Sequence, residues 1–427
     1  MPSPRIVVTG IGVVSPLGSL PAFWDRLCAG ETGVAPVEEL ASASQSPRKA
    51  AAARGWEPRD YIAPALLRRM DHLSRMVVTA CHMALADASL TLDPEAAAET
   101  GLVLGTAFGN LRESEEFIRG LFTRGPARVN PLTFPNLVLN APTGYAAIDL
   151  GLRGPCFTTT RGEASGEAAL ALAYDTIASG HASVLLVGGA DEIAPILFQI
   201  YEDVGVLSPD APASPPTHDG VPLTREWSSP FDRGRNGLVM GEGAAILVLE
   251  SAEHAVARGT APYAELVGYA TESVAASPHD WPSPAAAESR ETARQLAALG
   301  WRPPAPDSSE RVDLVVSCAN STIGCDRFET ARLSSLLCAT SDRALVTSLK
   351  GAIGEFGGAG AHAAAAAALA LRTGHVPLLG ALENPDPACA LPLATRQTSP
   401  PPAGFEHALV SGCSRGGACL TLLFRRT

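Results

Sequence analysis

The residue that best defines the possible chemistry of this chain is Glu163. It lies in residues 154–166, where a glycine-bounded apolar strand runs into a turn of small residues and then into an alanine-rich helix. The N-terminus of a helix stabilises an anion, and enzymes with this arrangement usually place a cysteine there because the same field favours its thiolate. A carboxylate is a far poorer acyl acceptor, so the pattern predicts an enzyme-like site without its nucleophile.

The cysteines and histidines give no pattern for a metal or a cofactor. The nine cysteines stand at positions 28, 81, 156, 318, 325, 338, 389, 413 and 419, without a Cys-x-x-Cys pair, and the histidines offer no zinc spacing. Gly10 and Gly12 follow a strand, but the third glycine of a dinucleotide fingerprint is missing. We expect no metal and no cofactor, and we expect most cysteines, Cys156 and Cys318 among them, to be buried in a reducing compartment.

The composition is that of a globular, acidic protein. The 427 residues are 46% hydrophobic and carry a formal net charge of −12, which argues against a nucleic-acid partner. No apolar run is long enough to span a bilayer, and the N-terminus lacks the apolar segment of a signal peptide. We therefore expect a soluble cytoplasmic protein without a membrane partner.

The elements that must position Glu163 follow an alternating pattern. Short apolar runs, such as 5–14, 101–105, 184–189 and 244–250, alternate with alanine-rich helical stretches at 76–88, 166–179, 287–298 and 360–371. This alternation predicts an α/β fold whose buried strands are covered by helices. Two proline-rich stretches, 208–224 and 391–404, are predicted to be surface loops.

The chain also looks duplicated. A strand that opens near Ile6 has a counterpart near Ala264, and the strand-then-helix unit around Glu163 has a counterpart at residues 350–371. We expect an N-terminal half at residues 1–255 and a C-terminal half at 256–427, joined through residues 252–260.

Several segments together resemble the β-ketoacyl synthase family of condensing enzymes. They are the opening strand 5–18, the basic segment 68–71, the signature at 230–237 with its extension 241–244, Lys350 within 347–351, and Gly416-Gly417. The resemblance covers essentially the whole chain. It implies a thiolase-like duplicated α/β fold, layered α-β-α-β-α with two mixed sheets.

The same resemblance implies that the catalytic set is degenerate. The family's cysteine nucleophile corresponds to Glu163, its two histidines to Cys318 and Glu355, and a phenylalanine that gates acyl entry to Cys413. Lys350 alone is retained. Such losses are typical of the chain-length-factor branch, a non-condensing subunit that pairs with an active ketosynthase. We expect Glu163 to form an ion pair with Lys350, although it could instead serve as a general base.

The resemblance also suggests which residues limit acyl length. Phe108 matches a position that lines the acyl pocket in elongating synthases, and the following residues lie on one helix face. We predict that a tunnel shared with the partner is walled by Phe108, Leu111, Ser114, Phe117 and Ile118. Ordinary core packing of Phe108 and an interface helix without selectivity remain alternatives.

The predicted function is therefore that of a silent, ketosynthase-like chain length factor. It would form a heterodimer with an active ketosynthase of a type II polyketide or polyene pathway, through the strand at 155–160 with Arg161 nearby. An acyl carrier protein would deliver acyl and malonyl groups. The chain length factors of aromatic polyketide pathways usually carry glutamine in place of the lost cysteine. The glutamate at position 163 therefore weakens the assignment to an aromatic pathway and leaves a polyene-type pathway possible. The alternatives are a stand-alone homodimeric enzyme with glutamate-based chemistry and an inert scaffold that binds a carrier protein.

Overall fold

The computed structural model describes residues 4–41, 47–209, 226–287, 289–301, 312–337, 344–399, 401 and 404–427. Most of the predicted loop at 208–224, residues 400, 402 and 403 of the second predicted loop, and Cys338 lie outside the described residues. Within the described residues, every helix is too short or too polar to cross a lipid bilayer.

Strands and helices alternate along the chain as the apolar pattern predicted. The strands are β1 (Ile6–Val14), β2 (Ala35–Ala41), β3 (Pro47–Ala50), β4 (Gly101–Gly105), β5 (Cys156–Thr159), β6 (Val184–Asp191), β7 (Gly243–Ser251), β8 (Ala264–Ser273), β9 (Val312–Val316), β10 (Ala344–Thr347), β11 (Phe405–Cys413) and β12 (Ala418–Arg425). The helices are α1 (Leu20–Cys28), α2 (Pro64–Leu67), α3 (His72–Asp87), α4 (Pro94–Glu99), α5 (Leu111–Arg124), α6 (Ala141–Leu150), α7 (Ser165–Ala178), α8 (Pro195–Asp203), α9 (Ala252–Ala257), α10 (Arg290–Ala298), α11 (Ile323–Leu337), α12 (Lys350–Ile353) and α13 (Ala359–Thr373).

The strand order shows the duplication directly. The N-terminal strands run β1-β7-β6-β4-β5 from the centre outward, and the C-terminal strands run β8-β12-β11-β9-β10. In both sets the first two pairings are antiparallel and the outer two are parallel. Helix α9 lies between the two sets in the chain; the expected boundary at residues 255 and 256 stays a prediction.

The two five-stranded sets are joined into one ladder. Strand β1 pairs with β8 over three residue pairs, with Ile6, Val7 and Val8 opposite Leu266, Glu265 and Ala264. The two mixed sheets that we expected are thus two halves of one ten-stranded sheet, because the innermost strands lie close enough to share hydrogen bonds. The short β2–β3 hairpin forms a separate small sheet.

The layers match the predicted thiolase-like α/β fold. Helices α3 and α6 cover the outer face of the N-terminal half, and α10 with α11 covers the outer face of the C-terminal half. Helices α7 and α13 lie between the two halves and contact strands of both. The order is therefore α-β-α-β-α.

The central helices fit between two sheet halves because their side chains are small. Every residue of α13 from Ala359 to Leu371 is buried, and most of them are alanine. Gly166, in the first turn of α7, faces the start of α13 so closely that an added Cβ would lie 2.7 Å from the backbone nitrogen of Ala361. The backbone of α13 at this contact cannot move aside for an added methyl group, as the end of a flexible side chain could.

We predict that Gly166→Ala destabilises the protein by about 1–3 kcal/mol, because the methyl group overpacks the contact between α7 and α13. Urea denaturation measures the effect. Gly144→Ala is the matched control: Gly144 also lies in a helix, but an added Cβ meets nothing within 4 Å, so a gain of about 0.5–1 kcal/mol is expected. Equal stability of the two variants would contradict the predicted close crossing.

Candidate functional site

A cavity of about 450 Å³ opens where the ends of several strands meet the two central helices. Its wall combines the loop after β4, the turn before α7, the segment after β6, the loop before α13 and the β11–β12 hairpin. The lining residues that carry charge or aromatic rings are Phe108, Arg161, Glu163, Asp191, Glu192, Tyr201, Glu355, Phe356 and Arg415.

Glu163 occupies the predicted position, in a tight turn two residues before α7 begins. The hydroxyl of Ser165 holds this turn: it accepts a hydrogen bond from the Arg161 amide at 2.9 Å and donates one to the Gly162 carbonyl at 2.7 Å. The Glu163 side chain is 14% exposed. It therefore lies at the cavity wall rather than in bulk solvent.

The charge partner of Glu163 is Arg415. One guanidinium nitrogen lies 3.6 Å from Oε1, and the Arg415 amide donates to Oε2 at 3.3 Å. The expected pair between Glu163 and Lys350 is wrong, because Lys350 is held by Glu355 on the far side of the cavity wall. Arg415 comes from the tight β11–β12 hairpin, in which sequence reasoning considered Cys413 and Gly416-Gly417 but not Arg415.

Arg415 also organises the aromatic side of the cavity. Its guanidinium lies 5.5 Å from the ring centroid of Tyr201, and the Tyr201 ring meets Phe108 edge-to-face at 6.4 Å. Burial raises the pKa of Tyr201 to about 12, so this phenol stays protonated at neutral pH. The glutamate, the guanidinium and the two rings form one continuous contact chain across the cavity.

Lys350 and Glu355 form a buried ion pair. The ammonium lies 2.9 Å from one carboxylate oxygen of Glu355 and 3.0 Å from the other, and Asn320 donates to the latter at 2.7 Å. Burial alone would lower the pKa of Lys350, but Glu355 raises it above its ordinary value. The ammonium of Lys350 is thus paired with Glu355, and Glu355 lines the cavity as the accepting member of the pair.

Cys318 and Cys413 lie behind the cavity wall. Both are buried and belong to one apolar cluster with Cys325, Cys419 and Phe328. Of the five degenerate positions that the resemblance implied, the structure places Glu163 and Glu355 at the cavity and the other three just outside it. The buried state expected for Cys318 is confirmed, whereas Cys156 is exposed on β5 instead of buried.

Asp191, at the end of β6, is a site residue that sequence reasoning missed. Its Oδ1 accepts hydrogen bonds from the hydroxyl of Thr106 at 2.7 Å and from the amides of Ala107 and Phe108, and its Oδ2 accepts one from Gly358. Burial raises its pKa to about 6. The available signal was an acidic residue that closes an otherwise apolar strand.

The predicted tunnel residues are spread over different environments. Phe108 lines the cavity, and Leu111 packs toward α8 in the cluster around Phe198. Ser114 is half-buried on α5. Phe117 packs on Phe134 with ring centroids 6.1 Å apart, and Ile118 is exposed.

A buried carboxyl group lies directly beneath this site. Glu167, one turn after Glu163 on α7, packs against the backbone of Gly360 and Gly412, and its Oε2 accepts no hydrogen bond from any described residue. Burial raises the pKa of Glu167 to about 7, although Lys350 partly opposes the shift. The protonated form is therefore favoured in the folded state up to neutral pH.

Two family models together match most of the chain. The model described as Beta-ketoacyl synthase, N-terminal domain matches residues 3–255, and that described as Beta-ketoacyl synthase, C-terminal domain matches residues 263–382. A 3-oxoacyl-[acyl-carrier-protein] synthase 2 from Synechocystis sp. is 31% identical over 425 residues, which cover 99% of this chain and 98% of that relative.

Solved structures share the fold over the full length. The ishigamide ketosynthase/chain length factor matches with a TM-score of 0.86 and 25% identity over 100% of both chains. A structure of a type II polyketide acyl-carrier protein in complex with its ketosynthase matches with a TM-score of 0.82 over 100% of both chains; at 24% identity this likeness shows the fold alone.

We predict that Glu167→Gln becomes more stable than the wild type as the pH rises. The folded pKa of Glu167 is raised from 4.5 to about 7, so its contribution to stability is present below pH 4.5 and is lost as the pH rises through 7. The variant should gain roughly 3 kcal/mol relative to the wild type between pH 4.5 and 8, measured by urea denaturation. Glu253→Gln, on an exposed face of α9, should show no such trend. A pH-independent difference for Glu167→Gln would refute the raised pKa.

Proposed function

The chain belongs to the β-ketoacyl synthase family, and we propose that within it the protein serves as a catalytically silent subunit of the chain-length-factor type. It forms a heterodimer with an active ketosynthase of a type II polyketide or polyene pathway. The partner supplies the cysteine and the histidines, and an acyl carrier protein delivers the acyl and malonyl groups.

The observation that carries this proposal is the composition of the cavity. Its lining, within the described residues, includes no cysteine and no histidine. Condensation needs a nucleophile that accepts the acyl group as a thioester, and Glu163 has no sulfur to form one. It also needs donors that stabilise the enolate formed on loss of carbon dioxide, and each missing donor typically lowers the rate by about 10²–10³.

Both glutamates at the degenerate positions of the cavity have a charged partner. Glu163 is paired with Arg415, and Lys350 with Glu355. A general base must reach the proton that it removes, and these carboxylates already accept hydrogen bonds from Arg415, Lys350 and Asn320. These pairs therefore favour a supporting role over glutamate-based catalysis.

The surface around β5 fits the proposed partner. Strand β5 is at the edge of the ten-stranded sheet, and its Cys156 and Phe157 side chains are exposed. Ile148 on the neighbouring α6 is 70% exposed. An edge strand with apolar side chains presents free backbone hydrogen-bonding groups to a second strand, so pairing with the ketosynthase would cover it. Arg161 follows this strand directly and lies at both the cavity and the proposed interface.

Chain-length control follows from the position of α5. Phe108 lines the cavity of this subunit, while Ile118 is exposed on the helix. We assign Ile118 with Phe117 to the wall of the acyl tunnel shared with the partner. Leu111 and Ser114 lie in the first turn of α5, where Leu111 packs toward α8.

Co-expression with a cysteine-bearing ketosynthase tests the proposal. We expect a one-to-one complex that extends malonyl units, whereas this chain alone yields no condensation product by mass spectrometry. Glu163→Ala in the complex should leave product formation within about threefold of the wild type, since the residue takes no part in chemistry. Replacement of the partner's catalytic cysteine is the control and should abolish product.

Two results would overturn the silent-subunit proposal. One is turnover of an acyl or malonyl thioester by this chain alone as a homodimer. The other is a loss of about a hundredfold or more in the Glu163→Ala complex while the complex itself stays intact on size-exclusion chromatography.

We predict that Phe108→Ala in the complex shifts the products toward longer chains by at least one malonyl-derived unit, because the ring then no longer narrows the cavity. Product masses measure the shift. Phe122→Ala removes a ring of the same type that is 84% exposed on α5 and should leave product length unchanged. An unchanged length in Phe108→Ala would favour an inert scaffold.

A further inference from the structure

Four cysteines from distant parts of the chain converge behind the cavity wall. Cys318 follows β9, Cys325 lies in the first turn of α11, Cys413 ends β11 and Cys419 faces it on β12. All four are buried. The Sγ atoms of Cys413 and Cys419 are 3.1 Å apart, and Cys325 directs its thiol to the Cys318 carbonyl at 3.6 Å.

A buried carboxylate completes the cluster. Glu329 lies one helical turn after Cys325, so both side chains project from the same face of α11. The thiol of Cys413 is 3.9 Å from Glu329 Oε2. One potential ligand atom each from Cys318, Glu329 and Cys413 all lie within 4.8 Å of one another.

We propose that Cys318, Cys413 and Glu329 bind a thiophilic divalent cation of the zinc type, with Cys325 or Cys419 as the fourth ligand. Zinc takes sulfur at about 2.3 Å and carboxylate oxygen at about 2.0–2.2 Å in a tetrahedron, which places neighbouring ligand atoms roughly 3.5–3.8 Å apart. The three ligand atoms would draw in from separations of up to 4.8 Å. The Sγ atom of Cys419, 3.1 Å from that of Cys413, would move outward if Cys419 were the fourth ligand. Soft sulfur ligands select zinc over magnesium or calcium.

The charges around the cluster are compatible with a cation. Two buried cations lie near the cluster. Lys350 is paired with Glu355, and Arg332 lies 3.6 Å from Glu329 but donates its hydrogen bonds to the hydroxyls of Ser411 and Thr421. These two hydrogen bonds hold the guanidinium of Arg332 against strands β11 and β12. Two thiolates and one carboxylate would carry more negative charge than Arg332 balances, and a divalent cation supplies the difference.

The proposed ligands come from the end of β9, from α11 and from the β11–β12 hairpin. Because zinc binds cysteine as the thiolate, the thiol ligands lose their protons on binding. A bound cation would tie these three segments together.

The site has a consequence for the cavity in front of it. The hairpin that carries Cys413 and Cys419 also carries Arg415, the partner of Glu163. A bound cation would fix this hairpin and so hold the guanidinium over Tyr201. The inference is independent of whether the protein is silent, because it rests on residues behind the cavity.

Metal analysis of the full-length protein tests the site. We expect protein reconstituted with Zn²⁺ and then freed of excess metal to retain about one equivalent, measured by inductively coupled plasma mass spectrometry. Substitution with Co²⁺ should give the sulfur-to-metal charge-transfer band and the intense visible bands of a tetrahedral thiolate site. The Co²⁺ spectrum needs no variant, so it stays informative if a substitution impairs folding.

Variants locate the metal. Cys318→Ser and Cys413→Ser should lower the retained zinc at least tenfold, and a chelator should lower the melting temperature of the wild type but not of these variants. Cys81→Ala is the matched control, since Cys81 is a buried cysteine in the separate cluster around α3, and it should bind zinc as the wild type does.

Three results would overturn the site. The first is that the reconstituted wild type holds less than about a tenth of an equivalent of zinc and shows no thiolate bands with Co²⁺. The second is that the cysteine variants retain as much zinc as the wild type. The third is that peptide mass mapping detects a Cys413–Cys419 disulfide in the purified protein.

Discussion

The close crossing of α7 and α13 between the two halves of the sheet is the constraint on which the rest of this structure depends. The crossing is possible only because glycine and alanine let the two backbones approach. The amide of Gly166 donates to the carbonyl of Gly357 at 3.0 Å, which joins the start of one helix to the loop before the other. Glu163 and Glu355, one on each of these segments, are thereby brought to the same cavity.

The polar groups around this crossing are held by hydrogen bonds and ion pairs. Asp191 binds the amides of both the loop after β4 and Gly358, so it fixes two walls of the cavity at once. Arg415 neutralises Glu163 from the hairpin side, and Glu355 holds Lys350 from within. Removing one member of a buried pair would leave an unpaired buried charge and cost about 3–5 kcal/mol, so these pairs keep the cavity wall in its observed arrangement.

The likeness to known synthases and the content of the cavity therefore carry different information. The match to a 3-oxoacyl-[acyl-carrier-protein] synthase 2 over nearly the whole chain establishes family and fold. Activity depends on particular side chains at the cavity, and one fold can hold both condensing and non-condensing members. The cavity chemistry is what separates the two possibilities, and it supports a subunit that shapes a partner's reaction.

The sequence by itself determined the α/β class, the duplication and the presence of Glu163 two residues before α7. Buried strands and alanine-rich helices have local signatures, so stretches such as 101–105 and 360–371 could be identified from composition and period alone. The family resemblance singled out Glu163 and Glu355, which the structure places at the cavity, and Lys350, which pairs with Glu355. These features depend on residues close together in the chain.

Only the tertiary structure decided the charge partners and the clusters. Glu163 pairs with a residue 252 positions away, which no local pattern indicates. The cysteines looked scattered because their spacing in the chain is irregular, yet strand pairing places Cys413 opposite Cys419 and α11 brings Cys325 beside Cys318. The physical reason is common to both cases: side-chain pairing is set by the distance between elements after they pack, and packing is a property of the whole core rather than of any segment.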